Sequence, residues 1–100
     1  MQPSNLETGY YCVLTTAHLS TATASLLDEW CSAETSARPL NVASTVYGWF
    51  VPAREVDEPT QAKLPADLLA AINFARAHGF DHIQFDCDAD SVEALPKHDW

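Results

Sequence analysis

Basic residues are scarce in this sequence. Five Lys and Arg stand against fourteen Asp and Glu, and the formal net charge is −9 at pH 7. An electrostatic field of that sign repels phosphate backbones, so we expect no direct binding to nucleic acid. The same charge favours basic protein partners.

Glycine and cysteine are also scarce. The three glycines (Gly9, Gly48 and Gly79) stand far apart, which excludes a glycine-rich phosphate-binding loop. The three cysteines are widely spaced and form no Cys-x-x-Cys pair, so they match neither a disulfide framework nor a structural zinc site. We therefore expect reduced thiols, no bound metal and no cofactor.

Long hydrophobic runs are missing. The longest apolar-rich stretch, residues 47–52, is far too short to cross a bilayer. The first residues have neither the basic region nor the apolar run of a signal peptide. We expect a cytoplasmic protein that makes no contact with membranes.

What the chain does contain is enough apolar surface for one core. Apolar residues make up 47% of the 100 residues and charged residues 19%, a balance typical of a folded domain. The length predicts a single α/β domain over residues 1–100, with a polar leader at 1–8 and a short C-terminal tail at 91–100.

The hydrophobic periodicity predicts five elements in the order β-α-β-α-β. Strands are expected over 10–15, within 42–51 and over 81–87, and helices over about 20–31 and 64–79. This order is typical of a two-layer domain, a small sheet with both helices on one face. The first strand is apolar on both alternating faces, which predicts a central strand that is covered on both sides. Crossover connections would make the first and last strands parallel, while the direction of the middle strand stays open.

Local signals mark where these elements begin and end. Ser20 or Thr21 can cap the first helix, and Pro65 suits the first position of the second. Gly79 is the expected left-handed cap at the end of the second helix. Gly48, inside the middle strand, indicates a bulge, a bend or a close approach of two backbones.

Five blocks of sequence carry a resemblance that spans nearly the whole chain. They are Thr16-Ala17-His18-Leu19, Tyr47-Gly48-Trp49-Phe50-Val51-Pro52, Leu64-Pro65-Ala66-Asp67-Leu68, Phe74-Ala75-Arg76-Ala77-His78-Gly79 and the ending Leu95-Pro96 with Asp99-Trp100. Together they resemble a family of short uncharacterised bacterial proteins that are often encoded on plasmids and integrated mobile elements. The resemblance implies a cytoplasmic bacterial protein of about this size, and it transfers no catalytic residue.

One candidate binding site follows from the expected topology. His18 comes after the first strand, and Asp86, Asp88 and Asp90 come at the end of the last one. Parallel strands would bring these residues to one edge of the sheet, where open α/β sheets place ligands. Nearby carboxylates would favour the protonated imidazole. The competing interpretations are a histidine that anchors local backbone and an acidic turn whose carboxylates cap local amides.

A candidate interface rests on aromatic residues. Tyr47 and Trp49 alternate on one face of the middle strand, and Phe74 lies off the main apolar stripe of its helix. Two helices cover only one face of a small sheet, which leaves apolar surface in need of a partner. We expect a homo-oligomer or another protein partner, bound through the open face or the Phe74 side.

These observations favour a non-enzymatic accessory or protein-interaction domain, with no catalytic residue assigned. The first alternative is a small ligand-binding domain or enzyme that uses His18 with the Asp86–Asp90 carboxylates. The second is an acidic mimic of nucleic acid that blocks a basic host protein.

Overall fold

The computed structural model describes residues 6–100 and has a four-stranded sheet in the order β1-β4-β3-β2. The strands are Tyr11–Thr15 (β1), Ala43–Ser44 (β2), Gly48–Pro52 (β3) and His82–Asp86 (β4). The helices are Thr21–Ser32 (α1), Glu58–Gln61 (α2) and Ala66–Ala77 (α3), with 3₁₀ turns at Thr16–His18 and Thr35–Ala37. This small mixed sheet with its helices confirms the predicted α/β class.

The sheet is mixed, with one parallel pair and two antiparallel pairs of strands. β1 and β4 run parallel, as predicted, with Thr15 opposite Asp86. β3 runs antiparallel to β4, and β2 runs antiparallel to β3. The middle strand, whose direction the sequence left open, is therefore a hairpin of β2 and β3.

Gly48 opens β3 at a point where two backbones meet. A Cβ placed on Gly48 would collide with the carbonyl group of Phe85, whose carbon would lie 2.9 Å away. Such a separation is far below normal carbon–carbon contact, so the position requires glycine. Of the three roles suggested for Gly48, the structure shows the close backbone approach.

One face of the sheet carries the core. Side chains that alternate along the strands meet the apolar faces of α1 and α3 and are almost fully buried. They include Leu14, Trp49, Val51, Ile83 and Phe85, together with Leu27, Trp30, Leu68 and Ile72 from the helices. Leu26, which shares the apolar stripe of α1 in the sequence, is only partly buried at the margin of this core.

The two long helices begin and end close to the expected residues. The Ser20 side chain caps α1 by accepting a hydrogen bond from the Thr23 N–H. Pro65 occupies the cap position of α3 rather than its first turn, and Ala66 is the first helical residue. Gly79 follows α3 with a φ of 86°, the left-handed conformation expected of a terminating glycine.

The N-termini of α1 and α3 are joined by one carboxylate. Asp67 accepts hydrogen bonds from the Ser20 N–H at 2.8 Å and from the Thr23 hydroxyl at 2.7 Å. It also accepts one from the N–H of Leu68 at 2.9 Å. Burial opposes the charged form of Asp67, but these hydrogen bonds outweigh burial and lower the pKa of the carboxyl below its ordinary value. Asp67 therefore fixes α1 against α3.

Two sequence predictions of secondary structure were wrong. β1 is an edge strand and not a central one, because it stands first in the strand order and pairs only with β4. Its apolar residues Tyr11 and Val13, on the face opposite the core, are 54% and 45% exposed. The segment between β3 and α3, where no helix was predicted, contains the single turn α2, which begins where Asp57 accepts a hydrogen bond from the Thr60 N–H. Hydrogen bonds from the side chain and the backbone N–H of Thr60 lower the pKa of Asp57.

The described residues at the two ends of the chain, 6–10 and 91–100, form no strand or helix. Residues 1–5 of the predicted leader lie outside the described residues, and residues 6–10 are exposed and lack regular secondary structure. Residues 91–100 also lack helix and strand, but Leu95 within them is buried in the core. Between residues 6 and 100 we find no helix with the length and hydropathy needed to cross a bilayer.

Candidate functional site

The surface of the sheet opposite the core is uncovered. We define this open face by Tyr11 and Val13 on β1, Phe50 on β3, and His82 and Gln84 on β4. The strand register places these alternating residues together, with Val13 opposite Gln84 and Gln84 opposite Phe50. Within residues 6–100 the long helices pack on the other face, so the open face meets solvent.

One end of the open face is aromatic. The Phe50 ring stacks on the His82 imidazole, with ring centroids 5.0 Å apart and an interplanar angle of 19°. The Tyr11 ring meets Phe50 edge-on at 5.9 Å. A shallow cleft of about 220 Å³ adjoins these rings and is also lined by Glu7, Tyr10 and Arg54. Rigid aromatic rings beside a cleft are the kind of surface that anchors protein partners.

The opposite end of the open face is acidic. Asp86 ends β4 on the same alternation as His82 and Gln84, and the exposed Asp88 and Asp90 follow it. The Asp88 N–H donates to the Asp86 carboxylate at 2.8 Å, which is the geometry of a local turn. The Asp86, Cys87 and Asp88 side chains each offer an atom within 4.8 Å of the other two. Since Cys87 and Asp88 are exposed and Asp86 binds local backbone, this arrangement is that of a capped acidic turn.

His18 is buried at the end of the sheet where β1 finishes. His18 belongs to the 3₁₀ turn that Thr15 caps by accepting a hydrogen bond from the Ala17 N–H. The His18 side chain is only 2% exposed. Its Nε2 accepts a hydrogen bond from the Val92 N–H at 3.1 Å. Its Nδ1 lies 2.9 Å from the Pro96 carbonyl, which can only accept, so the proton is on Nδ1. Both ring nitrogens are therefore committed to the backbone of the tail.

The topology places His18 and Asp86 at the same end of the sheet, because β1 and β4 are parallel and Thr15 pairs with Asp86. Within residues 6–100, however, no hydrogen bond or ion pair joins His18 to Asp86, Asp88 or Asp90. The imidazole reaches the segment that follows these aspartates rather than the carboxylates. This geometry suits an anchor for the tail better than a base, since no lone pair of the ring is free.

The tail makes further contacts beside His18. The His98 N–H donates to the Ala17 carbonyl at 2.7 Å, and the Trp100 indole N–H donates to the Leu19 carbonyl at 2.9 Å. Sequence reasoning could not have found these contacts, because backbone acceptors in a turn leave no residue pattern. Residues 91–100 thus pack against the turn after β1 through these hydrogen bonds, and we call this segment the tail strap.

The three aromatic residues considered for an interface have different environments. Tyr47, in the turn before β3, is 50% exposed. Trp49 is 8% exposed within the core, and its indole N–H donates to the Asp28 carboxylate at 2.9 Å. Phe74 is half-buried and packs on His78, with ring centroids 4.5 Å apart. The three do not form one exposed surface, because Trp49 is buried in the core.

Phe50 and His82 belong to the open face but were not singled out in the sequence. Phe50 lies in an apolar run that reads as fully buried, and His82 lies in the polar half of an alternating strand. The signal that could have found them is the small number of helices, which leaves one face of the sheet uncovered.

Cys12 and Cys31 show no sign of an activated thiol. Burial raises the pKa of the Cys12 thiol. Burial, together with the negative charge of Asp28, raises the pKa of the Cys31 thiol. A raised pKa keeps a thiol protonated and unreactive near neutral pH. Cys12 and Cys31 therefore fit structural positions.

Comparison with known families identifies the chain. Residues 11–100, from the start of β1 to the last residue, match the C-terminal domain of a family of unknown function, DUF5983. The chain belongs to the DUF5983 family. No curated protein and no solved structure matches it. The open face and the tail strap both lie within the DUF5983 domain.

Proposed function

We propose that this DUF5983 domain is a non-enzymatic protein-interaction domain whose contact surface is the open face of the sheet. The observation that supports the proposal is the exposure of Tyr11 and Val13, at 54% and 45%, beside the partly buried Phe50. The opposite face of the same strands is filled by the core. Apolar and aromatic side chains clustered on an otherwise polar surface are typical of a contact site.

The position of His18 supports a non-enzymatic function. A general base needs a free lone pair within reach of its substrate. The Nε2 atom of His18 already accepts the Val92 N–H, and the Nδ1 proton is held by Pro96. The resemblance noted in the sequence further supports a bacterial cytoplasmic protein whose gene lies on a plasmid or an integrated mobile element.

The proposal can be tested with variants that alter the surface and leave the core unchanged. We would replace Tyr11 and Val13 together by Ser, and as a matched control replace Val46 by Ser. Val46 is also apolar, is 92% exposed and lies in the turn between β2 and β3, the two strands farthest from β1. A displayed library of random twelve-residue peptides would be selected on the native protein, and self-association would be measured by sedimentation velocity.

We expect peptide binding or self-association that is lost in the Tyr11→Ser/Val13→Ser variant and retained in Val46→Ser. Circular dichroism should show that both variants keep their helices. The proposal is refuted if the native protein neither self-associates nor selects any peptide. It is equally refuted if every interaction survives in the double variant.

A further inference from the structure

We infer that the partner of this domain is an extended basic segment that adds a strand to the free edge of β1. The inference rests on the proposed function and names the chemistry of the occupant. It depends on three features of the described residues: a free strand edge, an aromatic end and an acidic end.

The first feature is the free edge of β1. β1 is the outermost strand next to β4, and in a parallel pair alternate residues direct their N–H and C=O groups to the partner strand. The Tyr10 carbonyl accepts the His82 N–H, so Cys12 and Leu14 also face β4. The backbone groups of Tyr11 and Val13 then face away from β4. Within residues 6–100 these groups have no hydrogen-bond partner, which makes them a template for another strand.

The second feature is the order of side chains along this edge. Tyr11 and the Phe50–His82 stack lie at the end where β1 begins. Asp86 lies at the end where β1 finishes, since it pairs with Thr15, and the exposed Asp88 and Asp90 follow it. Four steps from residue to residue, Tyr11 to Thr15, separate the two ends by about 13 Å. An added strand would meet an aromatic surface at one end and carboxylates at the other.

The third feature is charge. The chain carries a net charge of −9. Residues 81–100, which form β4, the acidic turn and the tail, contain six Asp and Glu but a single Lys, Lys97. β1 itself has no charged side chain. Charge complementarity therefore favours a basic segment, and it opposes a second copy of this strongly acidic chain.

The spacing of these features specifies the segment. Side chains on one face of a strand recur at every second residue, so the open face would see residues i, i+2 and i+4 of the added strand. Residue i would be apolar or aromatic and would pack beside Tyr11. Residue i+4 would be Lys or Arg and would extend past β1 toward Asp86, the last residue of β4, and Asp88, which follows β4. β4 would lie two strand spacings, about 10 Å, from the added strand. An antiparallel segment would show the same spacing in reverse order.

The test uses the peptides selected by the intact domain from the random library. We expect their sequences to combine an apolar residue with a Lys or Arg four positions away. Replacing that Lys or Arg by Gln should weaken binding at least tenfold, and so should the Asp86→Asn/Asp88→Asn double variant. Glu29→Gln, which removes an exposed carboxylate on α1, is the matched control and should bind normally.

Strand addition has a signature on the peptide itself. Methylating the backbone nitrogen of one residue at a time removes one donor and leaves the domain unaltered. Binding should fall only at alternate residues, those whose N–H groups face β1. Equal losses at neighbouring residues would refute strand addition, and peptides without basic residues would refute the proposed chemistry.

Two outcomes separate this inference from the proposed function. Peptides that require Tyr11 and Val13 but lack basic residues, or lack the alternating effect, would overturn the inference and leave the interaction face standing. A dimer that dissociates in the Tyr11→Ser/Val13→Ser variant would identify a second copy as the occupant and would also overturn the inference. Selection of no peptide that depends on Tyr11 and Val13, with no self-association, overturns both.

Discussion

The carboxylate of Asp67 offers the sharpest test of how this fold is held together. Its two long-range donors, the Ser20 N–H and the Thr23 hydroxyl, lie at the N-terminus of α1, where Ser20 is the cap. A hydrogen bond to a charged group contributes about 1.5–3 kcal/mol. Because Asp67 is only partly buried, we take the lower figure for each donor. Asp67→Ala should then lower the free energy of unfolding by about 3 kcal/mol.

The same carboxylate predicts a dependence on pH. The folded pKa of Asp67 is lowered, so its stabilising contribution is complete above the unfolded value of about 3.9. The contribution is lost as the pH falls through the folded pKa. The difference in unfolding free energy between the native protein and Asp67→Ala should therefore be largest near pH 7 and should shrink below about pH 4.

Urea unfolding followed by circular dichroism at pH 7, 5 and 3 would measure this difference. Asp67→Asn keeps one acceptor oxygen, so it should lower the free energy of unfolding by less than Asp67→Ala does. Glu29→Gln is the control, because Glu29 is exposed on α1, and its effect should stay within about 0.5 kcal/mol. A loss for Asp67→Ala that is below about 1 kcal/mol at pH 7, or that does not change between pH 7 and 3, would refute the reasoning.

Three further predictions concern the core and the tail. His18→Ala should leave the Val92 N–H unpaired and destabilise the domain by about 1–3 kcal/mol, and amide hydrogen exchange should show faster exchange at Val92 while most of the sheet amides stay protected. Gly48→Ala should fail to fold normally because of the collision with the Phe85 carbonyl, and a native-like thermal transition would contradict the close approach of the two backbones. Ile72→Ala, at a fully buried site, should lower the free energy of unfolding by about 2–5 kcal/mol in urea titrations, and a loss below about 1 kcal/mol would show that the core is placed wrongly.

Much of the fold could be predicted from the sequence because its signals are local. Capping by Ser20 and termination at Gly79 depend on residues within one turn of the helix end. The alternation of Ile83 and Phe85 likewise depends only on the two-residue period of a strand. These signals act before any tertiary contact forms, so they can be read without knowing the fold.

Other features could not be predicted because they depend on distant partners. Whether β1 is central or at the edge depends on which strands lie beside it, and the apolar side chains of Tyr11 and Val13 fit either place. The role of His18 was open for the same reason. Its hydrogen bonds go to backbone groups more than seventy residues away, and backbone groups carry no sequence signal. The open face was foreseen only as surface that two helices cannot cover.

The pairing of β1 with β4 also governs how the chain is made. Tyr11 and its neighbour His82 are seventy-one residues apart, so the ribosome must synthesise most of the domain before β1 can be paired. At about 5–20 residues per second, this interval lasts about 4–14 s. Throughout it, Tyr11, Val13 and Leu14 are an apolar strand without a partner, which other nascent chains or chaperones can bind. An early stop in translation before His82 would leave that strand permanently unpaired and the product prone to aggregation.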